Sequence, residues 1–417
     1  MTDARRIIHV PRRFAVEEWG GTETVLAELV AQQRRQGWQP EIHTSRALCA
    51  TAAETWHDVP VRRYSYCYPF FGLSATQRHQ LDKKGGNLLS LPLLFSLLRA
   101  RDVRIFHAHS LKRLGGAVLT AARRQKKPFV VTLHGGVYDV PDAETTEMRA
   151  AQSGTFEWGK IFGMLFRSRH LLDRADAVIC VGRGEYDKAR ASLAHDRVHH
   201  LGNGVDAARF ATGDGTAFRA QHGIPADATV LACYSRIDPQ KDQLSLVEAF
   251  DLLATAHPQL HLVMAGPCTV AEYRAQLQHR IAASPHAARI HLLGAIASAG
   301  SALPDAYHAC DIFVLPSRHE PFGIVVLEAW SASKPVIVAD VGGLRTLVRE
   351  GVDGLFCPSG NAPALASRIS ELLRAPQDIR TAMGEEGRRI ARERYSWERL
   401  AAETERIYQA AEARCAH

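Results

Sequence analysis

Two glutamates, Glu320 and Glu328, stand eight positions apart in the string His319-Glu320-Pro321-Phe322-Gly323-Ile324-Val325-Val326-Leu327-Glu328. Glu320 belongs to the loop after an apolar run, Ile312 to Leu315, and Glu328 to the helix that should follow. Gly323 falls near the start of that helix, where free backbone N–H groups can receive a phosphate. A helix start attracts glutamate for dipole reasons alone, so a single carboxylate there would carry little meaning. Two cations, Arg236 and Lys241, stand in Tyr234-Ser235-Arg236-Ile237-Asp238-Pro239-Gln240-Lys241, just beyond another apolar run. An arginine fork and a lysine point charge at that spacing can clamp two adjacent phosphates, although pairs of surface cations are common. A third candidate is Trp19-Gly20-Gly21-Thr22-Glu23, whose glycines let a ligand approach the backbone where a first helix opens. By itself it is also a plain tight turn.

These residues need strand ends to hold them, and the sequence supplies strands in a regular series. Ile7 to Val10, Glu41 to Thr44, Val103 to Ala108, Phe129 to Leu133 and Ala177 to Val181 read as strands, with helical stretches such as Thr22 to Gln36 between them. The series breaks near Asn203 to Ile224, where Gly202, Gly204, Gly213, Gly215 and Gly223 collect. It resumes with Val230 to Tyr234, His261 to Ala265, Ile290 to Leu293, Ile312 to Leu315 and Val336 to Ala339. Strands alternating with helices imply parallel sheets with right-handed crossovers. The expected class is therefore α/β, with two Rossmann-like, doubly wound parallel-sheet domains over residues 1–205 and 206–395. A helical tail, 396–417, should pack back on the first domain. Ligands in such sheets sit beyond the carboxyl ends of the strands, so the cleft between two facing sheets is the expected site.

Composition narrows the class further. A chain of 417 residues is long enough for two domains, and its 46% apolar and 23% charged residues are ordinary for a globular protein. No run approaches the ~18 to 20 apolar residues of a membrane span. Eight scattered cysteines form no CxxC pair, which points to a reducing compartment and a cytoplasmic protein. No Walker lysine loop and no GxGxxG after a strand is present, so nucleotide hydrolysis and nicotinamide chemistry are poorly supported. The charge is uneven: residues 1–200 hold 30 Lys/Arg against 20 Asp/Glu, whereas 201–417 hold 21 against 24. A basic first half is most simply a solvated face; its sharper reading is peripheral contact with an anionic membrane, at the inner face of the cell membrane. No aromatic-interleaved basic strand accompanies it, and nucleic acid is not an expected partner.

Taken in order, the motifs resemble glycosyltransferase family 4. Glu320 and Glu328 fit the E-x7-E signature of GT-B glycosyltransferases, in the E-P-F-G-x-x-x-L-E form. Gly20-Gly21-Thr22-Glu23 looks like the family's donor-phosphate loop, and Phe106-His107-Ala108-His109-Ser110 and Val131-Thr132-Leu133-His134-Gly135 look like its His-bearing strand ends. Asn203-Gly204-Val205-Asp206, Arg236 with Lys241, Val341-Gly342-Gly343 and Tyr395-Ser396-Trp397 match later landmarks. Ser235 departs from the family, which usually has glycine there.

The resemblance implies a retaining, hexosyltransferase-type enzyme that moves a sugar from a nucleotide-sugar to a hydroxyl acceptor, in surface glycan or glycolipid synthesis. It places Arg236, Lys241, Gly20, Gly21, Glu320, Phe322, Gly323 and Glu328 at the donor, with Arg236 and Lys241 as unpaired cations on the diphosphate and Glu328 on the ribose hydroxyls. Glu320 and His134 face the transferred sugar. The acceptor, carbohydrate or lipid-linked, meets the first domain, where His109 and Tyr138 are candidates. No Asp-x-Asp occurs, so no metal and no cofactor is expected. The donor base and sugar stay open. A nucleotide-sugar epimerase on the same fold, or a catalytically silent sugar-nucleotide binder, is the alternative.

Two further groups carry weaker signals. His107 and His109 share one strand face, which invites a metal, yet no third ligand stands at suitable spacing; buried structural histidines are expected. Phe156, Trp158, Phe162, Leu165, Phe166 and Leu171, with Lys160, Arg167 and Arg169, suggest one helix whose apolar stripe faces the core. Its alternative is a membrane-surface contact.

Overall fold

The computed structural model describes residues 5–15, 20–83, 85–136, 138 and 154–415. The chain divides into two compact units, Met1–Gly202 with Trp397–His417, and Asn203–Ser396. Val205 belongs to the second, where its N–H donates to the Tyr395 carbonyl at 2.8 Å.

The first unit is built on an eight-stranded sheet. Its strands are β1 (Arg6–Val10), β2 (Gln39–Ser45), β3 (Ala53–Trp56), β4 (Val59–Tyr64), β6 (Val103–Ala108), β7 (Phe129–Leu133), β9 (Ala177–Cys180) and β10 (Val198–His200), while β5 (Phe70–Phe71) and β8 (Phe156–Glu157) form a separate ribbon. Across the large sheet the order is β10-β9-β7-β6-β1-β2-β4-β3. All its pairings are parallel except β3 with β4. Successive residues of a strand face opposite layers. Thus Ile8, Phe106, Val131 and Val178 pack with Leu93, Leu97, Leu114 and Val118 of the helices Leu91–Arg99 and Lys112–Arg124. Ile7, Ile105, Val130 and Ile179 pack on the other side with Trp38, Ile407, Tyr408 and Ala411. Both faces are covered, so the strands read as unbroken apolar runs rather than as alternations.

The C-terminal helix Trp397–Cys415 thus belongs to the first unit's core. Arg104 Nε donates to Glu412 at 2.7 Å, and Arg5 pairs with Glu405. The second unit carries six parallel strands, β11 (Thr229–Tyr234), β12 (Leu260–Ala265), β13 (Ile290–Leu292), β14 (Ile312–Leu315), β15 (Val336–Ala339) and β16 (Gly354–Cys357), in the order β13-β12-β11-β14-β15-β16. This is the doubly wound order whose direction reverses between β11 and β14.

One expectation fails in the first unit. Residues 156–171 do not make a core-facing helix: β8 pairs antiparallel with β5, a short helix spans Lys160–Leu165, and a 3-10 turn covers Ser168–His170. Gly159 lies against Pro69, where a Cβ would stand 2.3 Å from its Cγ, and Arg167 breaks the run at φ 50°. Phe166 and Leu171 reach the core, but Phe156 (69% exposed), Ile161 (65%), Met164 (75%) and Leu165 (68%) face out, beside Phe71 and Trp158. Among the described residues no helix is long and apolar enough to cross a membrane.

Candidate active site

In a doubly wound sheet the strands flanking the reversal deliver their following loops to one place. In the second unit these are the loops after β11 and β14, which carry Arg236, Lys241 and Glu320. The first is seated by Gly266, at φ +151°, where a Cβ would lie only 1.9 Å from the Ser235 carbonyl oxygen. No residue with a side chain fits there without moving the loop. Ser235 adds a tie, its hydroxyl accepting from Gln243 Nε2 at 3.1 Å. Asp238, fully buried, accepts from the Gln240 N–H at 2.9 Å and from the Thr269 hydroxyl, which holds the turn Pro239–Lys241.

The two cations are not bare, contrary to expectation. Lys241 Nζ is ion-paired with Glu320, and both side chains are nearly buried. Arg236, more open, donates to Asp238 Oδ2 and to Gln240 Oε1, each at 3.3 Å. Carboxylate and amide partners satisfy the two cations.

The loop 320–323 rests on Val341-Gly342-Gly343. The Gly343 N–H donates to the Glu320 carbonyl at 2.8 Å, and Cβ atoms at Gly342 and Gly343 would stand 2.3 and 2.1 Å from the carbonyl oxygens of Glu320 and Pro321. Gly323, at φ 100°, caps the helix Ile324–Ser331. The Phe322 ring packs edge-on against Tyr395, with centroids 5.8 Å apart, and is buried. The ring thereby helps to hold the loop. Glu328, half-buried on that helix, accepts from the Tyr307 hydroxyl at 2.6 Å. Burial pushes its carboxyl up to about 7, against the pull of Tyr307 and of Arg209. Glu328 and Arg236 line one pocket with Ser235, Gly266, Leu303 and Val325.

The first unit's sheet reverses between β1 and β6, and histidines gather there. His9 sits opposite His107 in the β1–β6 register. His9 Nδ1 lies 3.0 Å from His109 Nε2, and His109 Nδ1 lies 3.0 Å from His134 Nε2. His109, expected on the acceptor side, is buried with both ring nitrogens engaged. Burial drives the imidazoles of His9 and His134 down to about 4 and those of His107 and His109 well below the usual range, so all four are neutral near pH 7.

His9, His107 and His109 offer nitrogens within 4.8 Å of one another, a spacing that a metal ion could use. Those nitrogens already have partners: His107 meets the hydroxyls of Tyr408 and Thr132, each at 2.7 Å, and His9 Nε2 meets Gln33 Oε1 at 2.8 Å. The donor set is that of a hydrogen-bonded cluster. Sequence reasoning does not find His9, Gln33 and Tyr408, because nothing near them in the chain marks them.

Gly20 and Gly21 begin the helix Gly21–Arg35, and a Cβ at Gly21 would meet nothing. The carboxylate of Glu23, buried beside Arg13 Nε at 3.2 Å, faces the same turn. Tyr138 packs against the first unit's core, and its hydroxyl accepts from Ser192 Oγ at 2.9 Å. Trp19, Val137 and residues 139–153, with most of the loop after Gly136, lie outside the described residues.

Comparison with known proteins identifies the family. The family model described as Glycosyltransferase Family 4 matches residues 19–209, and that described as Glycosyl transferases group 1 matches residues 214–390. A D-inositol 3-phosphate glycosyltransferase of Kineococcus radiotolerans is 29% identical over 94% of this chain and 91% of its own length. The same-named protein of Geodermatophilus obscurus is 36% identical over 50% of this chain, and the match spans only 46% of that relative. Among solved structures, Anabaena HepE in complex with UDP is similar with a TM-score of 0.73 at 22% identity, over 97% of this chain and 100% of that one. Sucrose-phosphate synthase from Thermosynechococcus elongatus gives a TM-score of 0.74 at 21% identity, over 98% and 100%. At such identities the structural likeness speaks for the fold alone. With two doubly wound parallel sheets and a family model over each half, the chain belongs to glycosyltransferase family 4 and has the GT-B fold.

Proposed function

We propose that this glycosyltransferase moves a hexosyl group from a nucleotide-sugar to a hydroxyl of a carbohydrate or lipid-linked acceptor, with retention of configuration and without a metal. The observation that carries this is the second unit's pocket, where Arg236 and Glu328 line one space, with Lys241, ion-paired to Glu320, on the same loop as Arg236. In this reading the ribose hydroxyls donate to Glu328, and Leu303 and Val325 give the base an apolar wall. The diphosphate draws Arg236 and Lys241 away from their present partners, assisted by backbone amides near Gly323. Lys241 then releases Glu320 toward the sugar, and the family resemblance gives His134 the role of facing it. Negative charge grows on the leaving diphosphate as an oxocarbenium-like sugar forms, and fixed cations and dipoles stabilise it without reorganising. Retention follows if the leaving phosphate takes the acceptor's proton on the same face. Tyr138 and the first unit serve the acceptor. The family models and relatives are those of transferases, so neither an epimerase nor a silent binder is favoured.

The test is product analysis with UDP-, GDP- and ADP-sugars in excess EDTA. Nucleotide release with acceptor glycosylation of unchanged anomeric configuration is expected. An epimerised free sugar, an inverted product, or activity restored only by magnesium or manganese would each overturn the corresponding part.

Glu328 also predicts a pH dependence. A carboxylate accepts from two ribose hydroxyls only when ionised, and this carboxyl lies at about 7. Nucleoside diphosphate binding should therefore weaken as pH falls through that value, and Glu328→Gln should bind weakly at every pH. Calorimetric titrations at several pH values, with a flat wild-type profile as the contrary result, decide it.

We assign the proposed membrane contact to one surface. Phe71, Phe156 and Trp158 stack beside Ile161, Met164 and Leu165, with exposed Lys160, Arg167 and Arg169 on the same segment. Exposed apolar patches of this kind mark interaction sites, and each cation near an anionic bilayer adds ~1 kcal/mol. The enzyme should float with phosphatidylserine-containing vesicles at low salt, and Met164→Asp with Trp158→Ala should abolish this. Failure of the wild type to float would return the basic half to a solvated face.

A further inference from the structure

A buried file of polar side chains runs from the C-terminal helix to His134. Tyr408, on the helix Trp397–Cys415, receives a hydrogen bond from Gln33 Nε2 at 3.1 Å. Gln33 Oε1 lies 2.8 Å from His9 Nε2, His9 Nδ1 lies 3.0 Å from His109 Nε2, and His109 Nδ1 lies 3.0 Å from His134 Nε2. Gln33, His9, His109 and Tyr408 are all buried, so water cannot substitute for a missing partner.

Such a file has a direction. A neutral imidazole has one N–H and one bare nitrogen, so each histidine that donates on one side must accept on the other. The Gln33 carbonyl oxygen can only accept, which requires the proton of His9 on Nε2 and leaves Nδ1 bare. His109 must then donate from Nε2 to His9 and accept at Nδ1. His134 in turn donates from Nε2. Its Nδ1 is left as a bare acceptor with no partner among the described residues. The orientation of the Gln33 amide is the switch: turning it over would reverse every bond. Tyr408 couples that orientation to a second branch: with Gln33 as placed, its hydroxyl accepts the Gln33 N–H and donates to His107 Nδ1 at 2.7 Å, and His107 then donates to Thr132 at 2.7 Å.

We propose that Tyr408 and Gln33 are positioning residues that act through His9 and His109 to hold His134 in the Nε2–H tautomer, with Nδ1 presented as a hydrogen-bond acceptor. The consequence for a sugar beside His134 is selective: Nδ1 receives a hydroxyl proton and cannot donate one to a phosphate. This last step rests on the proposed role of His134, whereas the tautomer itself does not. A histidine held in the wrong tautomer can lose most of its catalytic value even when its place is unchanged.

The test uses the full chain labelled with 15N-histidine, with His134 assigned by its loss in His134→Gln. In the wild type, His134 should show a protonated Nε2 and a bare Nδ1 near pH 7.5, without any substrate. Tyr408→Phe, which removes one hydroxyl, and Gln33→Leu should mix or reverse the tautomers of His134. Both should lower kcat at least about tenfold with nucleotide affinity unchanged. Thermal melts of both variants separate this from unfolding, since Tyr408→Phe keeps the ring in place. A His134 spectrum identical in wild type and both variants overturns the proposal. So does a purified protein that holds stoichiometric zinc on these nitrogens. If the tautomers shift but His134→Gln transfers sugar normally, the relay stands and the catalytic role of His134 falls.

Discussion

Arg236→Ala is expected to lower turnover by ~10²-fold or more while leaving the melting temperature nearly unchanged. Losing one preorganised charge contact to a developing anion commonly costs that much in rate. The fold should tolerate the change, because Arg236 is half-exposed and its bonds to Asp238 and Gln240 are long, at 3.3 Å. Asp238 keeps the Gln240 N–H and the Thr269 hydroxyl. Lys241→Ala should cut activity as much but behave differently in the melt. Its removal strands Glu320, whose side chain is only 11% exposed, and breaking one side of a buried pair costs about 3–5 kcal/mol. Steady-state rates with calorimetric melts separate the two. Near-wild-type turnover in Arg236→Ala would remove that residue from the site.

Mild acid should loosen the first unit before the second. An unfolded histidine titrates near 6.5, whereas buried His9 titrates at about 4, so between those values the unfolded chain binds a proton that the folded unit refuses. Stability is therefore intact above about pH 6.5 and is lost as pH falls toward 4. For His9 alone the loss approaches roughly 3 kcal/mol, and His107 and His109 push the same way, titrating as a coupled group. Total stabilities are about 5–15 kcal/mol, so this is a large share. In the second unit Glu328 has the opposite sign, since a carboxyl raised to about 7 becomes easier to keep folded as it is protonated. Hydrogen exchange at about pH 5 and pH 7, corrected for intrinsic rates, should show peptides of β1, β6 and β7 losing protection relative to those of β11 and β14. Equal changes in both units would contradict this account.

What the chain determined by itself is local in sequence. Ten of the fourteen strands of the two sheets were legible, all but β3, β4, β10 and β16, because parallel strands covered on both faces read as short apolar runs, as Val230 to Tyr234 and Ile312 to Leu315 do. The family was legible because its motifs each occupy one loop at one strand end: Arg236 and Lys241 share a turn, and Glu320 and Glu328 share a loop and its helix. Partnership was not legible. Lys241 and Glu320 are 79 positions apart and meet only because β11 and β14 are neighbours at the reversal of the sheet. His9 joins His107 through the register of β1 on β6, and Tyr408 joins them from a helix 301 positions beyond His107. The exposed face of Phe156 to Leu165 likewise depended on Gly159 meeting Pro69, which stopped the helix that the apolar spacing suggested. Spacing along the chain specifies which face of its own element a residue takes. Strand order, register and the close approach of backbones specify what that face meets, and here they supplied the Lys241–Glu320 ion pair and the buried file behind His134.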